Sequence, residues 1–116
     1  MPLFSVAGMT SLAPGEKLAV LNAENLASAA AAQGVAFAPV GGGPVPLTVL
    51  NATAQTLTLQ ASGDGTNWFP YVDADEQAVT VATDTALQVF VSPGLFYRAY
   101  NGSGSAITAG TIWFSR

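Results

Sequence analysis

Apolar and polar positions alternate with a period of two over most of the chain. From residue 55 to 61, Leu57, Leu59 and Ala61 fall on one side and Thr56, Thr58 and Gln60 on the other, which is the pattern of a half-buried strand. Residues 62–67 (SGDGTN) then bring the glycines and short polar side chains that tolerate positive φ and cap backbone groups locally, so the chain can reverse. Trp68, Phe69, Tyr71 and Val72 begin the return strand of a predicted hairpin. The same signal recurs at 47–50, at 77–82 with Val79 and Val81 around Thr80, and at 86–91 with Leu87, Val89 and Val91 on one face. A Ser-Pro-Gly-Leu type II turn is expected at 92–95, followed by strands at 95–100 and 106–114, with Gly110 a bulge or a close approach. Short strands spaced by turn signals predict an all-β body over 45–116, an antiparallel β-sandwich or jelly-roll-like small barrel.

The first third reads differently. Leu3, Phe4, Val6 and Leu12 stand among Ser, Gly and Pro, as in an extended arm that docks on a neighbour or in a frayed terminus. Residues 17–21 predict a short strand. Residues 22–33 (NAENLASAAAAQ) predict one short helix: Asn22 caps it, Glu24 suits its positive end, the alanines favour it and Gly34 ends it. Such a helix is marginal alone in water, so an ordered coil competes with it. Residues 35–46 (VAFAPVGGGPVP) read as a Gly/Pro linker. The expected organisation is therefore an arm, helix and linker over 1–44 and a sandwich domain over 45–116. No secretory signal is expected, and no apolar run approaches the ~20 residues that span a bilayer.

Composition narrows the function classes. Half of the 116 residues are hydrophobic and 9% are charged, against about 25% in an ordinary soluble domain. A subunit that covers much of its surface against other subunits needs fewer charges than a free monomer. Lys17, Arg98 and Arg116 are the only cations in a chain of net charge −4, so no basic stripe exists for a phosphate backbone and nucleic acid is excluded as a partner. With no cysteine and no histidine, thiolate and imidazole metal sites, disulfides and His-dependent triads are excluded.

Few residues invite chemistry. Asp73, Asp75 and Glu76, with Asp64 across the hairpin, offer oxygens for calcium but lack EF-hand spacing, and a solvated acidic loop is the better account of them. The adjacent aromatics Trp68-Phe69, Phe96-Tyr97 and Trp113-Phe114 must point to opposite faces of their strands, so one of each pair lies outside the core, at an interface or as a stacking platform. Arg98 is the only charge between Val89 and Ile112, as either a surface residue or an interface anchor. Asn51-Ala-Thr53 and Asn101-Gly-Ser103 match the glycosylation triplet, which also occurs by chance. No catalytic, cofactor-binding or metal-ligating residue is assigned, and no cofactor is expected.

The run from Asn51 to Trp68 (NATAQTLTLQASGDGTNW) and the later Val91-Ser-Pro-Gly-Leu-Phe-Tyr97-Arg98 resemble small β-rich virion proteins of tailed bacteriophages, notably capsid decoration or cement proteins. Ser62, Asp64, Gly65 and Trp68 match an "S-x-D-G-x-x-W" hairpin; Pro93, Gly94, Tyr97 and Arg98 match a "P-G-x-Y-R" strand with one extra residue. The resemblance spans residues 45–116. It implies a non-enzymatic homotrimer located in the virion, on the capsid surface, that binds between subunits of the major capsid protein, with neither nucleic acid nor membrane as partner. Leu3, Phe4, Val6, Leu12, Phe69, Arg98 and Trp113 are then the candidate contact residues. The alternative is a carbohydrate- or receptor-binding module of a phage tail fibre or bacterial surface protein, with Trp68 and Tyr71 as the sugar platform.

Overall fold

The computed structural model describes residues 9–37, 44–73, 75–92 and 94–116, with the side chains of residues 9, 10 and 37 left aside. Two β-sheets pack face to face. One holds seven strands: β1 (Met9–Leu12), β3 (Ala30–Ala31), β4 (Gly34–Phe37), β6 (Leu57–Ser62), β7 (Phe69–Pro70), β8 (Thr80–Val81) and β10 (Phe96–Asn101). The other holds four, in the order β2 (Lys17–Leu26), β11 (Ile107–Ser115), β5 (Val45–Ala52), β9 (Thr85–Val91). The predicted all-β sandwich is present, and no helix occurs among the described residues.

Alternation builds the core. Leu47 and Val49 of β5, Leu57 and Leu59 of β6, Tyr97 and Ala99 of β10, and Ile112 and Phe114 of β11 are all buried in one cluster between the sheets. Pairing is antiparallel throughout the body, as in the register Phe96↔Ser62 to Tyr100↔Thr58 between β10 and β6. The predicted hairpin forms, with β7 returning along β6 through Gln60↔Pro70 and Ala61↔Phe69.

The N-terminal third departs from expectation. The predicted helix over 22–33 is replaced by the second half of β2 and by β3. Leu21 and Leu26 are buried in the core, and β11 offers an antiparallel partner from Leu26 to Lys17, so tertiary burial overrides the helix preference of a short Ala-rich segment. Ala30 and Ala31 pair with Asn101 and Tyr100. The end of the expected arm is β1, which runs parallel to β4 from Met9↔Gly34 to Leu12↔Phe37; β4 occupies the start of the expected linker. Residues 9–37 are thus woven into both sheets, and position 44/45 does not separate an appendage from the sandwich. Residues 1–8 and 38–43 of the expected arm and linker lie outside the described residues.

Two of the corners that carry the chain between the sheets are built on a buried asparagine. At the β5–β6 corner Asn51 Nδ2 donates to the carbonyls of Gln55 (2.8 Å), Val81 (3.0 Å) and Ala82 (3.2 Å), while its Oδ1 accepts from Thr53 N (3.0 Å) and Thr53 Oγ1 (2.6 Å). At the β10–β11 corner Asn101 Nδ2 donates to Ser105 O (2.8 Å), Ala27 O (3.2 Å) and Leu26 O (3.4 Å), and its Oδ1 accepts from Ser103 Oγ (2.8 Å) and Ser103 N (3.3 Å). The two glycosylation-like triplets are therefore one structural device used twice.

The long β2–β11 pair is interrupted by bulges, with Ala23 (φ 49°) and Ala109 (φ 50°) in the left-handed region. Each amide that leaves the ladder is caught by a side chain of the opposite strand: Ala23 N donates to Thr111 Oγ1 (3.1 Å) and Ala109 N to Asn25 Oδ1 (2.9 Å). Gly110 is both bulge and close approach, since a Cβ there would run into Ile107 Cγ2 and sit 2.7 Å from Thr53 Cγ2. Pro93 of the expected type II turn at 92–95 lies outside the described residues; the Ser92 carbonyl accepts the Tyr97 hydroxyl at 2.8 Å.

Candidate interaction surface

The hairpin turn is organised by Asp64. Its Oδ1 accepts from Asn67 N (2.8 Å), Thr66 N (2.9 Å) and Ser62 Oγ (3.0 Å), and its Oδ2 from Asn67 Nδ2 (2.7 Å). Donated hydrogen bonds, chiefly from the backbone of Asn67 and Thr66, hold its carboxyl well below the usual aspartate range. Every one of these contacts is local, which is the pattern of a chain reversal. In the acidic loop Asp73 Oδ1 similarly accepts from Asp75 N (2.9 Å) and Gln77 N (3.0 Å). Among the described residues no cluster of three or more potential metal-ligating side chains forms.

Beyond the turn the return strand splits its aromatics. Trp68 does not enter the core; the Arg98 guanidinium lies over its ring, 4.3 Å from the centroid, and Arg98 Nε donates to Gln60 Oε1 at 2.7 Å. Gln60 and Arg98 are cross-strand partners, so this is a stacked, hydrogen-bonded cap on the outer face of the larger sheet. Burial lowers the arginine's pKa from its ordinary value, partly opposed by Tyr100. Phe69, the other member of the pair, is 66% exposed.

Tyr71 ties this segment to the second sheet. Its ring meets Tyr97 edge to face at 6.0 Å, and its hydroxyl donates to the Phe90 carbonyl at 2.8 Å. Tyr97 beneath it is pushed up to about 12, first by burial and then by Tyr71. The exposed large apolar side chains among the described residues are Phe69 and Val72 (49% exposed), which flank Tyr71 in sequence, and Phe90 (63%), whose carbonyl Tyr71 holds near the end of β9. Nearby, Leu87, Val89 and Val79 line a cavity of about 350 Å³ that opens between the sheets beside Asp73.

A second concavity lies on the outer face of the four-stranded sheet. The cross-strand row Ala19–Trp113–Leu50–Ala86 sets one indole among small side chains, leaving a groove of about 430 Å³ bounded by Lys17 and Trp113 at one end and Asp84 at the other. Lys17 Nζ sits 4.7 Å from the Trp113 ring centroid. Phe114, next to Trp113, is fully buried, so this pair obeys the opposite-face expectation.

The anticipated contact residues are thus dispersed. Phe69 is exposed on β7, Arg98 is on the outer face of the larger sheet, and Trp113 is on the outer face of the smaller one. Leu12 is 2% exposed and belongs to the core cluster, which removes it from any contact surface: β1 places it between the sheets. Leu3, Phe4 and Val6 lie outside the described residues. Trp68 and Tyr71, the expected sugar platform, are each partly exposed and engaged by different partners, the first by Arg98 over its ring and the second by Tyr97. Sequence reasoning passed over Phe90, although its place out of phase with Leu87, Val89 and Val91 already marks it as outward-facing. Comparison of the chain with protein families, with curated proteins and with solved structures finds no match.

Proposed function

We propose that this chain is a non-enzymatic assembly protein that decorates and cements a bacteriophage capsid by binding between major capsid subunits. The observation that carries the reading is the exposure of Phe69, Val72 and Phe90 in a chain with 9% charged residues. Large apolar side chains exposed together are the usual mark of a contact surface. The resemblance of the hairpin and of the 91–98 segment to decoration proteins supplies the kind of partner. Multivalent attachment around a shell makes weak individual contacts collectively tight. The test is reconstitution: purified protein is added to shells lacking it, and bound copies are counted by cryo-electron microscopy, with Phe69→Ser and Phe90→Ser compared. Saturable binding to wild type that both substitutions weaken supports the proposal; no binding to any shell would sink it.

A second reading is favoured by the Trp113 groove. An indole beside small side chains, with an ammonium and a carboxylate at its ends, suits the apolar face and hydroxyls of a sugar ring. Glycan-array binding that Trp113→Ala abolishes while the fold persists would favour this reading over capsid attachment.

A further inference from the structure

We infer that β9 is a pairing edge for a second copy of the same chain, joined antiparallel about a two-fold axis at Gln88. Among the described residues β9 is the terminal strand of the four-stranded sheet and pairs on one side only, with β5, in an unbroken register from Val45↔Val91 to Asn51↔Thr85. The direction of its backbone groups follows from two observations. Phe90 lies opposite Pro46, which has no amide hydrogen to give it, and the Phe90 carbonyl accepts the Tyr71 hydroxyl from outside the β5–β9 ladder. Alternation along an antiparallel strand then turns the N–H and C=O of Ala86, Gln88 and Phe90 outward.

Sheet edges are normally guarded by charge, proline or bulges. The opposite edge of the same sheet is guarded in this way: β2 carries Lys17 and Glu24, shifts register against β11, and holds Ala23 at positive φ. β9, with the sequence TALQVFV, has no charge, no proline and no register shift. A guard kept on one edge and missing from the other marks the second as the edge that pairs.

The occupant is a second copy because the strand complements itself. With Gln88 opposite Gln88 of the second copy, Phe90 falls opposite the small Ala86, both exposed on the outer face. Three bonded positions would exchange about six main-chain hydrogen bonds, the Phe90 carbonyl using its second lone pair for the Ala86 amide of the second copy beside the Tyr71 hydroxyl. Asp84 falls opposite Ser92, so two chains of net charge −4 meet without setting acid against acid. The contact uses the same surface on both partners and therefore closes at two, leaving the guarded β2 edges at the ends of one eight-stranded sheet. This two-fold pairing takes the place of the three-fold arrangement that the resemblance implies. It shares with the capsid reading only the premise that Phe90 lies on a contact surface, and its test needs no shell, so either can fail alone.

Amide exchange of the full chain by NMR, at low micromolar and at near-millimolar concentration, reads the pairing directly. The amides of Ala86, Gln88 and Phe90 gain at least about tenfold protection at the higher concentration, while the β5-bonded amides of Leu87 and Val89 are protected at both. Analytical ultracentrifugation gives a monomer–dimer equilibrium, and Gln88→Lys, a change at an exposed side chain, shifts it at least about tenfold toward monomer, with an unchanged thermal midpoint at concentrations where both proteins are monomeric. Concentration-independent exchange at the three amides, a trimer, open-ended association, or a dimer indifferent to Gln88→Lys each overturns the inference.

Discussion

Asn51→Ala isolates what a corner asparagine contributes. Asn51 is buried, and its five hydrogen bonds join its own corner to the end of β8. Not all of its partners are stranded by the change: Gln55 O still accepts Thr53 Oγ1 at 3.0 Å, and the Ala82 carbonyl is only partly buried. The amide of Thr53 and the carbonyl of Val81 are the buried groups left without this partner, each at a cost of about 1–3 kcal/mol. A loss of about 3 kcal/mol follows, or roughly 10–15 °C in thermal midpoint for a domain of this size. Asn51→Asp is the control of equal shape. It keeps the acceptor toward Thr53 but turns an anionic oxygen toward three carbonyls, so at neutral pH it destabilises more than alanine, and acidification that protonates it recovers part of the loss. Urea unfolding followed by tryptophan fluorescence measures both, and Asn101→Ala, in the same geometry at the other corner, repeats the experiment within one molecule. An Asn51→Ala variant within about 0.5 kcal/mol of wild type, the range of an ordinary surface change, would refute the reasoning.

Three further outcomes are expected. Gly110→Ala forces a methyl against Ile107 and Thr53 and costs about 1–3 kcal/mol by overpacking, read in the same urea titration. Asp64 has a depressed folded-state pKa, so its contribution is present above the ordinary aspartate value and is lost as pH falls through the folded value; Asp64→Ala therefore unfolds with a flatter acid limb than wild type. Tyr97, raised to about 12 in the fold, makes stability fall as pH rises beyond the ordinary tyrosine value, because the unfolded chain ionises first; Tyr97→Phe removes that alkaline loss, and its hydroxyl bond to Ser92 is worth about 1 kcal/mol near neutrality.

The body strands were legible because each carries its own period. Leu57, Leu59, Val89, Val91 and Phe114 occupy the faces that alternation assigns, and the Asp64 turn follows from residue types that satisfy one another within a few positions. The first third was not legible, because its structure is settled by partners far along the chain. The alternation in residues 17–26 is broken at Ala23, where the bulge needs Thr111 to receive the freed amide, and a bulge resets the side-chain phase on which pattern reading depends. Asn22, Glu24 and the alanines each had a valid helical reading, yet Asn25 is engaged by Ala109 and Ala32 N donates to Ala99 O at 2.9 Å. No local signal competes with such pairings, since they become available only once the sandwich closes.

The same distinction applies to the surface. Arg98 and Trp113 stood out as isolated charge and surplus ring, but each is answered from within its own sheet, by Trp68 with Gln60 and by Lys17. Rarity in the sequence marked residues that the fold had reason to fix in place. Phe90 and Val72 drew no notice, being ordinary apolar residues in a chain that is half hydrophobic. What distinguishes them is that the fold leaves them largely exposed, one next to Tyr71 in sequence and the other joined to it through its carbonyl. In a protein so poor in charge, contact surfaces are therefore better sought where alternation leaves a large apolar side chain facing outward next to an unguarded edge. β9 is the one strand of the four-stranded sheet that meets both conditions.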